Sequence, residues 1–533
     1  MNGATKNVSF ENSITNSNLI ENEERKFRRK LGLLDLFMIG ITGVIGSGWL
    51  FSPLYAANAA GPASIASWVL GGALVLMVGL VFSQLMRFKS EAGGITRYPY
   101  YTNGALAGTI TGWTLWLAYS MNPPSESSGL VQYMSSYVPG LYINGALTPV
   151  GLAIAISFMG LFVLVNYFGV VIFSKIINAI TALKLVVPTI TMVTLFLVSF
   201  KLRNFSAYGV APYGPFSVVS AIVTSGIVYS YLGFQAVINL AGESRNPKRD
   251  GPLSLILVII FSVVFYVVLQ IAFIGSVPAS DISKGWAFLS LPSPFADIAV
   301  SFNMFWLYTL IIADSIYSPS GSSMAAVASN SRNLYALSKN GTLPSFFLRV
   351  DNNTGIPRRA LLFNFVISLI VLVTLKSWHQ IIETLGILLL ISFIGSAVSS
   401  GVIGSIKRYS SIKMPFIVIV SAIVFVFSGL IISISSFSKV LVVSLLLVPS
   451  LLLFAVSSGR GNRVIADVKA GLWFIIYVME IAILSFIYNE HYVSGYIFLG
   501  AYLLSSTITF ILARRSGVKF MHQAGEYDIA EIP

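Results

Sequence analysis

The sequence has no cysteine, few charged residues and only three histidines. Asp, Glu, Lys and Arg together make up 10% of its 533 residues. Without cysteine the chain can form no disulfide, thiolate nucleophile or cysteine-based metal site. The histidines, His379, His491 and His522, lie far apart without other candidate ligands nearby. We therefore expect no metal site and no cofactor.

Motifs of common energy-coupled and hydrolytic enzymes are missing as well. No Gly-x-x-x-x-Gly-Lys-Ser/Thr loop is present, so the chain carries no ATP-driven motor of that type. Neither a His-Glu-x-x-His motif nor a Gly-x-Ser-x-Gly elbow supports an intramembrane hydrolase. We therefore predict that the protein is not an enzyme.

Long apolar runs dominate what is present. Hydrophobic residues make up 56% of the chain, which is typical of a polytopic helical membrane protein. The formal net charge of +13 could suggest nucleic acid, but in a membrane protein it is better explained by basic loops on the cytoplasmic side. The first thirty residues are polar and resemble no signal peptide.

We predict fourteen membrane spans, taking about 20 apolar residues for each crossing. Residues 1–33 and 514–533 are then cytoplasmic tails, and the protein spans the cell membrane several times. The predicted limits are 34–60, 62–86, 105–136, 148–168, 173–199, 216–241, 252–276, 297–330, 359–376, 380–405, 414–435, 439–458, 468–488 and 492–513.

The distribution of basic residues supports this topology. Of the 33 lysines and arginines, 27 fall on predicted inner segments or the span ends beside them and five on outer segments or the span ends beside them, with Lys184 left inside a span. Lysine and arginine collect on cytoplasmic loops, so the bias favours both the even count and an inner N-terminus.

The first span contains an unusual glycine cluster, Gly43-Val44-Ile45-Gly46-Ser47-Gly48. Each glycine costs a helix interior about 1 kcal/mol against alanine. Unwound backbone at membrane depth is tolerated only inside protein or along a wet cavity. We therefore predict a helix that is broken so that its backbone groups can surround a ligand.

A similar interruption occurs in the sixth span, from Ser225 to Gln235. Two interrupted helices at corresponding positions of two halves are typical of secondary transporters built from inverted repeats. The alternative is that these glycines only allow close packing between helices.

Several segments resemble amino acid permeases of the amino acid–polyamine–organocation superfamily. The glycine cluster of the first span is similar to their first-helix motif. The other similar segments are Glu91–Gly94, Tyr229–Gln235, Leu240–Lys248, Ser331–Leu337, Asn340–Pro344 and Gly355–Pro357.

The resemblance implies a fold and a function. It implies an all-α transport core of the LeuT type at 34–405, with broken helices one and six and two inverted repeats of five spans, at 34–200 and 216–405. Residues 414–513 would add four further spans, two more than in the commoner twelve-span version. The implied function is movement of amino acids by alternating access.

The ends of the broken helices suggest how an amino acid is held. Free N–H groups at a helix N-terminus favour a carboxylate, and free carbonyls at a C-terminus favour an ammonium group. The predicted carboxylate site is formed by the amides of Gly46, Ser47 and Gly48, and the predicted ammonium site by carbonyls of Ile41, Thr42, Val228, Tyr229 and Ser230. Gly43 and Gly233 belong to the same two interruptions. The resemblance also implies that Tyr229 or Tyr231 closes over the substrate, although either could be a packed aromatic.

Ionisable residues within spans are candidates for proton coupling. Lys184 lies nine residues beyond Lys175, about 13 Å along a helix, near the middle of span five. The resemblance implies that such a lysine replaces the sodium ion of sodium-coupled relatives. Ser322 and Ser323 are the ion-site-like residues that would lie beside it. Asp314 and Glu126 are further candidates, although Asp314 could be a structural partner and Glu126 could face the vestibule.

Other mechanisms remain open at this stage. Proton symport is favoured by Lys184, but exchangers share the fold, and Gln235 stands where many relatives have a glutamate. A non-transporting amino acid sensor would use the same pocket, yet tails of about 33 and 20 residues leave little room for a signalling domain. A channel would need a continuous polar face on several helices, and spans such as 361–375 and 441–455 have none. The individual substrate is not predicted, although the neutral, aromatic residues Tyr229, Tyr231 and Phe234 favour neutral amino acids or a broad range of them. The oligomeric state is not predicted.

Overall fold

The structure is a computed structural model that describes residues 31–524 except 90–93, 169, 207, 241–242, 352–355 and 458–461. The side chains of 170–182, 410–412, 462–463 and 524 are also not described. The predicted tail segments 1–30 and 525–533 lie outside the described residues, as do Glu91, Ala92, Gly93, Ala241, Gly242 and Gly355.

The described chain is helical nearly throughout, as its apolar runs predict. We number the α-helices α1 to α20 in chain order. They are Leu33–Val44, Gly48–Ala60, Ser64–Phe88, Gly94–Ser120, Asn122–Met134, Pro149–Tyr167, Val170–Val198, Pro215–Thr224, Ile227–Ser230, Phe234–Leu240, Pro247–Ser276, Pro294–Ser301, Phe305–Lys339, Arg358–Leu375, Trp378–Ser405, Ile417–Ile434, Phe437–Leu446, Val448–Ser457, Asn462–Asn489 and Gly495–Ala524.

The strands of the described chain form one short hairpin. Strand β1 (Tyr142–Ile143) pairs antiparallel with β2 (Ala146–Leu147). The turn between them uses Asn144 and Gly145, both with positive φ, as a tight two-residue hairpin requires. The hairpin precedes α6 and lies at one end of the helical bundle.

Nine helical segments among the described residues are long and apolar enough to cross a membrane. Shorter apolar helices are Leu33–Val44, Leu183–Val198 and Pro215–Thr224. Every predicted span coincides with one helix or with consecutive helices. The protein is therefore an all-α polytopic membrane protein, while fourteen crossings and two repeats of five stay predictions.

Several predicted boundaries differ from the helices. The third predicted span, 105–136, is two helices, α4 and α5, which meet at Met121. The eighth, 297–330, is the short helix α12 followed by α13, which continues to Lys339. Helix α13 extends past the predicted limit because its last turns are polar. The interruptions at Met121 and at 302–304 divide the two spans, and an apolar run alone does not reveal them.

Helix α15 forms the centre of the bundle. Every residue from Ile381 to Gly404 is buried, and α15 packs against α3, α4 and α16. A helix that is apolar all round is expected to be surrounded by protein. The other helices therefore surround α15 and form the outer surface of the bundle.

One end of the bundle carries buried and half-buried basic residues, and we call it the basic end. Arg97 donates to Oδ1 of Asn340 at 2.8 Å, and Lys89 donates to the hydroxyl of Tyr101 at 2.8 Å. At the same end Arg332 and Glu243 form an ion pair at 2.7 Å. A β-bridge between Leu31 and Ser244 joins the start of α1 to the chain beyond α10.

Candidate functional site

The first predicted interruption is present between α1 and α2. Helix α1 ends at Val44 and α2 begins at Gly48, so Ile45, Gly46 and Ser47 separate the two. Ile45 has extended backbone angles, with φ −86° and ψ 97°. The break leaves carbonyl groups without a helical partner at the end of α1.

Side chains from three other helices donate hydrogen bonds to four consecutive backbone carbonyls at this break. Lys184 Nζ donates to the carbonyl of Thr42 at 2.5 Å, and Ser322 Oγ donates to that of Gly43 at 3.0 Å. The hydroxyl of Tyr266 donates to the carbonyl of Val44 at 3.0 Å, and Ser318 Oγ donates to the carbonyl of Ile45 at 3.3 Å. The broken backbone is thus satisfied by protein groups instead of water.

The amide side of the break is occupied by a carboxylate. The N–H of Ser47 donates to Oε2 of Glu126 at 2.7 Å. A Cβ on Gly46 would lie 2.2 Å from Oε1 of Glu126 and 2.8 Å from Oγ of Ser322. Only glycine therefore allows Glu126 to reach this backbone.

The sixth predicted span is interrupted twice. Helix α8 ends at Thr224, α9 covers only Ile227–Ser230, and α10 begins at Phe234. Gly226 and Gly233 lie at the two interruptions with φ of 81° and 125°, a region that side-chain-bearing residues rarely adopt. The glycines that the sequence singled out therefore permit these conformations.

The two broken segments contact each other through glycine backbone. A Cβ on Gly43 would lie 2.9 Å from Cα of Gly233, and a Cβ on Gly233 would lie 2.2 Å from the carbonyl carbon of Gly43. A Cβ on Gly48 would lie 2.5 Å from Oγ of Ser230. Side chains at these three positions would push the segments apart.

An aromatic group covers the amide side of the first break. Tyr229 OH lies 3.0 Å from Oγ of Ser47, and Nε1 of Trp378 donates to that same Oγ at 2.7 Å. The rings of Tyr229 and Trp378 meet edge to face at 5.7 Å between centroids. Phe51 packs on Trp378 from the other side at 4.8 Å.

Tyr231 lies in a separate aromatic group. Its hydroxyl donates to the carbonyl of Trp68 at 3.1 Å, and its ring meets Tyr266 edge to face at 5.6 Å. It reaches the first break only through Tyr266. Of the two predicted tyrosines, Tyr229 is thus the one that contacts Ser47.

The three predicted ionisable residues are buried around the first break. Lys184 is 0% exposed, and Glu126 and Asp314 are each 1% exposed. Lys184 lies close enough to Glu126 and Asp314 to interact with both carboxylates electrostatically. A charged group so deep in protein is costly unless opposite charges or hydrogen bonds compensate it, and this arrangement supplies both for Lys184.

Asp314 is only partly satisfied by protein. Its Oδ2 accepts from Nε1 of Trp49 at 3.1 Å, whereas Oδ1 has no hydrogen-bond partner among the described residues. The hydroxyl of Ser323 likewise has none within the described part of the chain. These atoms can accept a further hydrogen bond or proton.

The structure gathers most of the predicted site. Thr42, Gly43, Gly46, Ser47, Gly48, Tyr229 and Ser230 line the joined breaks, together with Glu126, Lys184 and Ser322. The carbonyl of Ile41 accepts instead from the N–H of Ile45, and that of Tyr229 from Leu232. The roles of these residues in substrate or proton binding stay predictions. Val228 is buried in the short helix α9.

Sequence reasoning missed Tyr266, Ser318 and Trp378. Ser318 was within reach, since it begins the serine-rich segment of span eight. Tyr266 and Trp378 gave no signal, because one aromatic residue in an apolar run is indistinguishable from an ordinary packed side chain. The backbone atoms that they contact become apparent only in three dimensions.

The fold and site define a class of protein: a polytopic membrane protein with two interrupted helices around buried charges. A family model described as "Amino acid permease" matches residues 31–489. The chain therefore belongs to the amino acid permease family, and it is a transporter and not an enzyme.

Two of the individual relatives match most of the chain, and a third matches a shorter part. The glutamate/serine transporter AimA of Bacillus subtilis (strain 168) is 35% identical over 483 residues, which are 88% of this chain and 89% of that protein. The aspartate-proton symporter of the same organism is 33% identical over 480 residues, covering 87% and 91%. A branched-chain amino acid permease, BcaP, is 25% identical over 342 residues, covering 61% and 70%.

Proposed function

We propose that the protein is a secondary active transporter that moves amino acids across the cell membrane by alternating access, coupled to proton symport. The names of the two relatives at 35% and 33% identity point to acidic and small polar amino acids, and the second is a proton symporter. We take glutamate, aspartate and serine as the first substrates to test.

The observation that carries this proposal is the contact between Glu126 and Ser47. The amide of Ser47 donates to the Glu126 carboxylate at 2.7 Å. A substrate carboxylate would need the same N–H group at the start of α2. Glu126 therefore holds the predicted carboxylate site, and the substrate must displace it.

A side chain of the protein also lies at the predicted ammonium site. The ammonium group of Lys184 donates a hydrogen bond to the carbonyl of Thr42. The substrate ammonium would take predicted carbonyls in the sixth span, those of Val228 and Ser230. Ser230 lies close to α2, with its hydroxyl oxygen 2.8 Å from that of Ser52. Glu126 thus rests on the predicted carboxylate site, and Lys184 rests on one of the carbonyls predicted for the ammonium group.

Competition for Ser47 provides the coupling to protons. An ionised Glu126 and a substrate carboxylate repel each other at this short range and cannot share one N–H donor. A proton on Glu126 removes that repulsion and weakens its hold on Ser47, so the substrate carboxylate can bind. When the proton leaves, Glu126 returns to Ser47 and expels the substrate. Lys184 and Asp314 would set how readily the proton comes and goes.

The topology completes the proposal. The basic end would face the cytoplasm, with both termini on that side, since lysine and arginine collect there. Residues 34–405 would form the transport core in two repeats, 34–200 and 216–405. Residues 414–513 would form four additional spans, followed by a short tail.

Uptake into proteoliposomes tests this function. Purified protein is reconstituted and offered radiolabelled glutamate, aspartate and serine, with or without an inward proton gradient. We expect the gradient to drive accumulation, and Glu126→Gln to abolish that accumulation while exchange continues at a reduced rate. Gln132→Ala is the control, because Gln132 lies in α5 more than one helical turn beyond Glu126. This variant should accumulate substrate as the wild type does.

Three outcomes would contradict parts of this proposal. Absence of any amino acid movement would refute the transport function. Exchange without accumulation by the wild-type protein would indicate an exchanger. Gradient-driven accumulation that is unchanged in Glu126→Gln would place the coupling proton elsewhere.

A further inference from the structure

A cleft between the last two helices, α19 and α20, lies outside the transport site. It has a volume of about 230 Å³. We call it the lysine cleft, because Lys469 on α19 and Lys519 on α20 both line it. Its lining residues are Ile465, Ala466, Lys469, Ala470, Ser516, Lys519, Phe520 and Gln523.

Within the described part of the chain, no acidic side chain pairs with the two lysines of the cleft. Lys469 and Lys519 are exposed, and neither forms an ion pair within the described residues. Ser516 donates its hydroxyl to the carbonyl of Lys469, which ties the two helices together beside the charges. Two ammonium groups and a polar rim form a site for an anion with several acceptor oxygens, such as a phosphate group.

Apolar surface continues directly from the lysine cleft along both helices. Ile465 lines the cleft and is 54% exposed, while Leu472 on α19 and Leu512 on α20 are 44% and 56% exposed. Both helices are long and apolar enough to cross a membrane, so we expect these side chains to face lipid tails. This surface thus combines positive charge at the basic end with exposed apolar side chains further along α19 and α20. That combination suits a lipid with an anionic headgroup better than it suits a free ion.

Residues behind the cleft close a further helix break in the transport core, which lies in α4. Helix α4 departs from helical angles at Asn103 and Gly104, where φ is −131° and 78°. Asp467, two residues before Lys469, accepts from the freed N–H of Ala105 at 2.9 Å. From α20, the carbonyl of Ala513 accepts from Nδ2 of Asn103 at 3.3 Å, and Phe520 lies beside Gly104.

We propose that the lysine cleft binds the phosphate headgroup of an anionic lipid and thereby holds α19 and α20 against the break in α4. A phosphate between Lys469 and Lys519 bridges the two helices at the level where Asp467 and Ala513 meet the core. Bound lipid therefore stabilises the contact between the last two helices and the transport core. The proposal is independent of which substrate the core carries.

A thermal-stability titration of the purified full-length chain tests the proposal. The probes are phosphatidylglycerol, phosphatidylcholine with the same acyl chains, and inorganic phosphate, each added to protein in a neutral detergent. We expect phosphatidylglycerol alone to raise the unfolding temperature of the wild-type protein. Native mass spectrometry on the same samples counts the phosphatidylglycerol molecules that remain bound.

Variants then localise the effect. Lys469→Gln combined with Lys519→Gln keeps both stems but removes both charges, and both side chains are exposed, so folding should be unaffected. Each lysine near an anionic headgroup is worth roughly fivefold in affinity, so the pair should require about 25-fold more phosphatidylglycerol. Lys248→Gln combined with Lys407→Gln removes two exposed lysines outside the cleft and should respond as the wild type does.

Each other result counts against the proposal. An equal response to phosphatidylcholine would show that acyl chains alone are recognised. An equal response to inorganic phosphate would identify an ion site instead of a lipid site. An unchanged phosphatidylglycerol response in the cleft variant would place the lipid elsewhere on the protein.

Discussion

Two of the helix breaks inside this bundle, one in the first span and one in α4, are stabilised in different ways. At Ile45–Ser47, four carbonyls and one amide are bound by side chains, among them Lys184 and Glu126. At Asn103–Gly104, the freed amide is bound by Asp467, and close packing closes the remaining space. Both satisfy the rule that irregular backbone in a membrane must be buried in protein.

The difference between them indicates which break can change partners. The first is surrounded by groups that gain or lose protons, and two oxygens nearby, on Asp314 and Ser323, have no partner among the described residues. At the second, glycines bring helices into contact: a Cβ on Gly471 would lie 2.8 Å from the N atom of Ala107. We infer that the first break exchanges ligands, whereas the second is a fixed joint.

The largest expected effect is that of Gly46→Leu. A side chain at this position would collide with Glu126 and Ser322, since even a Cβ would lie 2.2 Å from Oε1 of Glu126. We expect loss of amino acid binding and of uptake in proteoliposomes. Gly500→Leu is the matched control, because Gly500 is exposed on α20 and a Cβ there meets no atom within 4 Å. Wild-type uptake by Gly46→Leu would disprove a backbone site at the first break.

Lys184→Ala should separate transport from the proton gradient. The variant loses the ammonium group that binds the carbonyl of Thr42 and lies near Glu126 and Asp314. We expect uptake to become independent of an imposed pH gradient and to fall in rate. Uptake should be measured at a series of external pH values with the internal pH held constant. A pH response equal to that of the wild type would mean that coupling does not involve Lys184.

Asp467→Ala should weaken the fixed joint without changing the substrate site. Loss of a side-chain acceptor at a freed helix amide typically costs about 1 kcal/mol. We expect a lower unfolding temperature with an unchanged KM for the transported amino acid. Asp467→Asn keeps an acceptor and should lose less stability. A change in KM without a change in stability would contradict the assignment of this break as structural.

Trp378→Phe should have the smallest effect. It keeps an aromatic ring near Tyr229 but removes the hydrogen bond to Ser47, which is 2.7 Å long. Such a bond contributes about 1 kcal/mol, so we expect KM to rise about fivefold or less with little change in stability. Trp113→Phe removes an equivalent bond to the carbonyl of Leu446, far from both breaks, and should leave KM unchanged. Equal effects of the two substitutions would argue against a role for Trp378 in the site.

The sequence predicts the first break well because glycine in an apolar helix has few explanations. It also identifies the ionisable residues around that break, since charge within a span is rare. It does not predict the break at Gly104, because the third span is predicted to begin at residue 105 and Gly104 then belongs to the preceding loop, whereas α4 begins at Gly94. Nor does it reveal that Glu126 accepts from Ser47, as 79 residues separate the two in the chain. Such contacts depend on how helices cross, and apolar periodicity alone does not determine crossing.

The central claim is that the substrate carboxylate replaces a deprotonated Glu126 on Ser47. Calorimetric titration with the transported amino acid, repeated in buffers of different ionisation enthalpy, counts the protons taken up on binding. At a pH where Glu126 is ionised, linkage predicts uptake of about one proton per substrate by the wild-type protein. Glu126→Gln should bind the amino acid with no net proton uptake. Binding without proton uptake by the wild type, or equal uptake by the variant, would contradict the account.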